Sequence, residues 1–343
     1  MNITFFIGNG FDLNLGLRTK YEDFYPFFLE HASEGNMIAE WIRNESYEKW
    51  SDLERALGQH LEYVERDTLG KYYIDKAELD KLLCDYLVQE EINFDVNSCP
   101  DIIIDEFIRS ISDFRSGLTE ADKKLVQSTL VAYSGETLFY NFLTFNYTKC
   151  LDDIAALAKE KNPIKKRKYG GSDIHDNIGE ILHIHGTISD GMIMGVNDKN
   201  QINNEELRNN REFISVFVKP QINEEYGQLR EEQADSMINA SRIIAVYGMS
   251  MGETDIIRWE KIFQWLKTDK HCLLIIYHHS NLGTANRRYP QEQILLRNQL
   301  RTKFFERVQG LNPSEEDIQN IESRILISFQ NTLFNFSDAF KDS

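Results

Sequence analysis

Cysteine and proline are scarce in this chain, with four of the first and six of the second in 343 residues. Cys84, Cys99, Cys150 and Cys272 form no Cys-x-x-Cys pair, so neither a disulfide framework nor a zinc knuckle is indicated, and reduced thiols are expected. Proline and glycine are too few for a disordered or fibrous chain. No apolar run approaches the roughly 18 residues of a membrane helix. The opening MNITFFIGNGFDL has no basic leader, and Asn9 and Asp12 break its apolar stretch, so it does not read as a signal peptide and a cytoplasmic protein is expected. Positive charge is short as well. Thirty-eight Lys and Arg face 55 Asp and Glu, a net charge of −17, which repels polyanions and counts against general binding of nucleic acid or anionic membranes. The one dense basic run, Lys165-Lys166-Arg167-Lys168, precedes Gly170-Gly171-Ser172 and reads as a solvated loop.

What is present is ordinary globular material, 41% hydrophobic and 27% charged, enough for one large α/β domain with an insertion. Near-continuous apolar runs suited to strands buried on both faces occur at Ile3–Ile7, Phe142–Phe145, Ile181–Ile184, Met192–Val196, Ile243–Tyr247, Cys272–Tyr277 and Ile325–Phe329. Most of the later ones are separated by stretches able to hold a crossover helix, which predicts a doubly wound, mostly parallel sheet. The gap after the first run is helical in pattern, over Tyr21–His31, Trp50–Arg66, Lys76–Ile92, Ile102–Phe114 and Glu120–Val131. It predicts a helical insertion, 21–140, on an α/β domain formed by 1–20 and 141–343. Because the insertion leaves and rejoins the sheet beside polar loops, it is placed to roof a site there.

Four such loops stand out. Gly8-Asn9-Gly10-Phe11-Asp12 follows the first strand; its glycines allow close backbone approach and amides that cradle phosphate, although Leu13 replaces the third glycine of G-x-G-x-x-G. A plain tight turn with Asn9 in left-handed geometry is the competing reading. Thr144-Phe145-Asn146-Tyr147-Thr148 ends the second; Thr148 reads as the N-cap of a helix Leu151–Lys159, and Asn146 is free for a ribose hydroxyl or a water. His183-Ile184-His185-Gly186 alternates so that both histidines share a face, with no carboxylate or thiolate at metal-ligand spacing; His183 reads as a core histidine and His185 as the one that meets substrate. In Gly248-Met249-Ser250-Met251-Gly252-Glu253-Thr254-Asp255 the glycine and serine suit phosphate or ribose, while Asp255 suits capping or function equally.

Taken in order, GNGFDL, WSDLE, FLTFNYT, HIHG and YGMSMGETD resemble the bacteriophage abortive-infection AbiH family over most of the chain. The order is also similar, more distantly, to the Rossmann-like sirtuin fold. That resemblance implies a pocket for NAD+ as substrate, with Gly8, Asn9, Gly10, Phe11 and Asp12 around it and Asn146 on the nicotinamide ribose. It further implies His185 as the catalytic histidine beside Gly186, Gly248 and Ser250 on the far ribose or phosphate, and His278-His279-Ser280-Asn281 toward the adenosine. Protein-deacylating sirtuins carry a zinc module with paired cysteines that this chain lacks, so the resemblance points to NAD+ hydrolysis with no metal.

Expulsion of neutral nicotinamide needs no general acid; it needs a stabilised oxocarbenium-like centre and a positioned nucleophile. Asn146 and His185 suit those roles, Asp12 suits orienting either of them or binding ribose, and Glu54 of WSDLE either packs or reaches the pocket. The alternative is a non-catalytic sensor of NAD or a nucleotide derivative acting on a defence partner. A nuclease is poorly served by the acidic surface. The resemblance also implies a phage-derived trigger, and a homo-oligomer is a further expectation.

Overall fold

The computed structural model describes residues 1–45, 50–94, 96, 100–161, 164–252, 255–279, 290–329 and 333–336. Seven strands, β1 (Asn2–Ile7), β2 (Phe139–Thr144), β3 (Lys165–Tyr169), β4 (Ser172–His183), β5 (Ser241–Tyr247), β6 (Leu273–Tyr277) and β7 (Ile325–Ser328), form one sheet in the order β3-β4-β2-β1-β5-β6-β7. All neighbours run parallel except β3 against β4. The helices are α1 (Gly10–Asn14), α2 (Tyr21–His31), α3 (Met37–Asn44), α4 (Leu53–His60), α5 (Leu69–Asn93), α6 (Pro100–Ser112), α7 (Glu120–Ala132) and α8 (Cys150–Glu160). They continue with α9 (Glu205–Arg208), α10 (Arg211–Phe217), α11 (Lys219–Glu225), α12 (Arg230–Ala240), α13 (Ile256–Thr268), α14 (Pro290–Arg307) and α15 (Glu315–Glu322).

The apolar runs become central strands because they bury side chains on both sides. Ile3, Phe5 and Ile7 enter one core with Ile243, Ala245 and Ile275, whereas Phe6 enters the other with Ile244, Val246 and Ile276. Each isoleucine, valine or phenylalanine among them contributes about 1.5–3 kcal/mol of burial. Helices α6, α7 and α8 cover the first face, and α12 to α15 the second. Thr4, polar on a buried strand, is satisfied by the Ser241 hydroxyl at 2.6 Å.

The helical stretch 21–140 divides between two cores. Helices α2 to α5 pack around Phe24, Phe28, Trp50, Leu57 and Leu79 in a third core, joined there by Met194, Val196, Phe213 and Phe217 from far along the chain. Helices α6 and α7 belong to the sheet, with Phe107 stacked on Phe142 at 5.6 Å.

Three local expectations are corrected. Met192–Val196 is not a strand: Gly195 lies so close to Phe217 that a Cβ would come within 2.1 Å of its carbonyl oxygen. Val196 makes only an isolated bridge to Val218, and Met194 and Val196 serve the third core. The basic run is not a loop but β3, turned back on β4 by Gly170 and Gly171 at φ +56° and +86°. Arg167 there holds the fully buried Asp176 at 2.7 Å. Finally, Trp50–Arg66 is a shorter helix, Leu53–His60, followed by a 3-10 turn at Leu61–Tyr63.

Candidate functional site

The four polar loops leave the sheet at one level. Ile7 is in register with Thr144 on one side and Tyr247 on the other, and Thr144 with His183, so β1, β2, β4 and β5 end together.

The loops after β1 and β5 lie backbone against backbone. Gly8 N–H donates to Tyr247 O at 2.9 Å and Gly10 N–H to Gly248 O at 3.0 Å. A Cβ on Gly10 would fall 2.6 Å from the Gly248 Cα, and Gly248 itself has φ +68°. The glycines are required by this close approach, and their two amides are engaged by carbonyls instead of standing open to phosphate. Asn9 is right-handed, φ −55°, not left-handed; its amide donates to Thr19 O at 3.0 Å, pinning the next loop. Phe11 is fully buried against Phe334 and Phe336, a member of the core on the first face of the sheet.

Asp12 is the junction between the first two loops. Buried in the first turn of α1, it accepts from Asn146 Nδ2 at 2.8 Å and from Thr148 Oγ1 at 2.7 Å. Burial pushes its carboxyl up to about 6, against the opposing pull of these two donors. Thr148 therefore does not cap α8; Lys149 occupies that position without a side-chain bond. Asn146 gives one of its two amide N–H groups to Asp12, which leaves its side-chain oxygen and the second N–H to meet a ligand. His183 braces the same loop, bonded through Nδ1 to Asn146 O at 3.0 Å and through Nε2 to Asp152 at 2.7 Å.

The two histidines part company, because β4 ends at His183 and its alternation stops there. His185 is buried, edge-on to Phe145 at 5.6 Å, with Lys219 Nζ 3.3 Å from its Nδ1. Donation by the ammonium leaves the ring proton on Nε2. Burial, reinforced by Lys219, Arg258 and Arg230, holds the imidazole well below the ordinary histidine range and thus neutral. Lys219 in turn meets both oxygens of Glu54, at 2.6 and 2.7 Å, and Glu54 also accepts from Tyr147 OH at 3.0 Å. Burial raises the Glu54 carboxyl while Lys219 opposes the rise. Glu54 of WSDLE thus packs and reaches the site at once. Asp255, partly exposed, accepts from Asn197 Nδ2 at 3.4 Å, and loss of hydration pushes it up to about 6. It stands at the N-cap of α13 without making a capping bond.

Of the residues singled out in the sequence, Asp12 and Asn146 are in contact, and Glu54 and His185 are joined through Lys219. Gly186, at φ +72°, closes a turn so tight that a Cβ would meet Gly191 O at 2.0 Å. Ser250 is exposed at the rim. Glu253, Thr254, Ser280 and Asn281, and Cys99 among the cysteines, lie outside the described residues; His278 is tied by its N–H to Ser328 O at 2.9 Å. Motif reading missed Lys219, Asn197 and Arg258. Lys219 carried one signal, a lysine followed by Pro220 at the start of a helix, a long cation at an element boundary.

Cys84, Cys150 and Cys272 are free thiols, and burial lifts Cys272 to about 11. Among the described residues no helix is long and apolar enough to cross a membrane. No curated protein matches the chain. A family model does: the order of polar loops now seen meeting at one end of the sheet lies within its match to residues 4–277, and the chain belongs to the Bacteriophage abortive infection AbiH family.

Proposed function

We propose that the protein is an abortive-infection effector that binds NAD+ at the carboxyl ends of β1, β2, β4 and β5 and hydrolyses it to nicotinamide and ADP-ribose. The observation carrying this reading is the buried Asp12–Asn146 contact of 2.8 Å at the point where strand order reverses. From β1 the sheet grows through β2 and β4 on one side and through β5, β6 and β7 on the other. That order agrees with doubly wound dinucleotide-binding folds, whose ligands lie outside the carboxyl ends of the strands where the order reverses. Lys219, Arg230 and Arg258 all act on His185, each balanced by a carboxylate, Glu54, Asp190 and Glu231 in turn.

In the reaction the C1′–nitrogen bond breaks with its electron pair going to the pyridinium, and a water oxygen bonds to C1′ as it loses a proton. Asn146 Oδ1 holds the ribose diol or that water. His185 is a latent base, since its Nδ1 lone pair accepts from Lys219 and takes a proton only once that bond is released. The same bond favours the second reading, a sensor that binds NAD without turnover.

Nicotinamide release by the purified protein, measured beside NAD+ binding, tests the proposal. Release reduced at least about a hundredfold in Asn146→Ala and His185→Ala is expected. Binding without release in the wild type selects the sensor; neither binding nor release, or full activity in both variants, removes the proposal.

A further inference from the structure

The inner face of α5 is fastened to the loops around the crevice. Glu90 accepts from Arg18 N–H at 2.8 Å, Glu91 from Lys149 N–H, and Lys76 and Cys84 donate to Met194 O and Ile188 O at 3.1 and 3.4 Å. The outer face of this 25-residue helix carries a pattern that these bonds do not use.

Ile74 and Ile92 are 72% and 75% exposed, values that stand out for isoleucine in a folded chain. Between them Lys81 and Asp85 are exposed, and neither has a hydrogen bond or ion pair among the described residues. A lysine preceding an aspartate by four residues is the weaker orientation for an intrahelical pair. Ile74, Lys81, Asp85 and Ile92 are spaced seven, four and seven residues apart. At 100° per residue they fall within roughly 40° of one line along the helix, with Val88 beside them, 36% exposed.

The spacing is palindromic and the charges are opposite across its centre. We propose that this face is the docking site for a second copy of the same chain, the two α5 helices packing antiparallel about a two-fold axis that crosses the outer face midway between Lys81 and Asp85. That arrangement sets Ile74 on the partner's Ile92 and Lys81 on the partner's Asp85, each contact occurring twice, as an isologous interface requires. A parallel pairing stacks lysine on lysine and aspartate on aspartate, so the charges select the antiparallel register. The stripe is about 27 Å long, which gives an interface at the small end of the specific range and a dimer that forms with rising concentration. Because α5 also fastens the loops bearing Arg18 and Lys149, assembly bears on the crevice whatever reaction occurs there.

Sedimentation velocity on the full chain from about 1 to about 100 µM tests the proposal. A monomer–dimer equilibrium is expected, weakened about tenfold or more by Ile74→Glu or by Ile92→Glu. Lys81→Glu and Asp85→Lys each weaken it singly, and an equimolar mixture of the two single variants restores it, because each charge then faces its opposite on the partner. All four positions are exposed, so thermal melting of each variant should match the wild type. A chain that stays monomeric throughout, a dimer indifferent to Ile74→Glu, or a mixture of the two charge variants no better than either alone overturns the proposal.

Discussion

The Asp12 cluster and the His185 cluster lie at the same end of the sheet but solve burial in opposite ways. Asp12 is an anion held by two neutral donors, Asn146 and Thr148, all three borne on loops that leave adjacent parallel strands. His185 is a neutral ring beside an ion pair whose members come from α4 and α11. The first is a local product of sheet topology. The second exists only when the α2–α5 unit and the chain after β4 have docked together. Burial raises Asp12 and depresses His185, so acid acts on the two with opposite sign.

The sharpest way to separate them is Lys219→Met. It leaves the Glu54 carboxylate buried without its cation, a loss of about 3–5 kcal/mol in equilibrium unfolding, most of it recovered on adding Glu54→Leu. A single variant as stable as the wild type would mean the ion pair does not hold the units together. Next is Thr148→Val, which removes one donor from Asp12 but disturbs no docking contact; about 1–3 kcal/mol is expected.

The smallest effect is the most diagnostic of the contrast. A carboxyl raised to about 6 in the folded state contributes stability that is full below the unfolded value of 3.8 and is lost as pH rises through 6. Relative to Asp12→Asn, the wild type therefore gains about 1 kcal/mol on going from pH 7 to pH 5. A depressed histidine works the other way, contributing stability above its unfolded 6.5 that is lost as pH falls. Relative to His185→Gln the wild type is destabilised over the same interval. Parallel pH profiles for the two variants would erase the distinction.

The same contrast explains what could be read from the sequence. Strands such as Ile3–Ile7 and Ile243–Tyr247 were legible because burial on both faces leaves an unbroken apolar run. Asp12 and Asn146 were legible because each follows such a run directly. Lys219 was not, since nothing near it in the chain tells that its partner lies 165 residues earlier. Met192–Val196 misled for a related reason: an apolar run with a glycine fits a strand, but its neighbours are helices α4, α5 and α10. The Thr148 hydroxyl was claimed by a carboxylate from another loop before it could cap its own helix.

The position of β1 has a consequence for how the chain is made. This first strand is the centre of the sheet, and its neighbours are residues 139–144 and 241–247. At about 5–20 residues per second of synthesis, about ten to fifty seconds pass between emergence of Asn2–Ile7 and emergence of β5. Until residues 139–144 emerge the segment NITFFI has no strand to pair with, and its second edge stays open until β5 follows, so most of the chain must exist before its oldest strand is paired on both sides. Newly synthesised copies should therefore lean on chaperones, and refolding from denaturant should be slow and prone to aggregation.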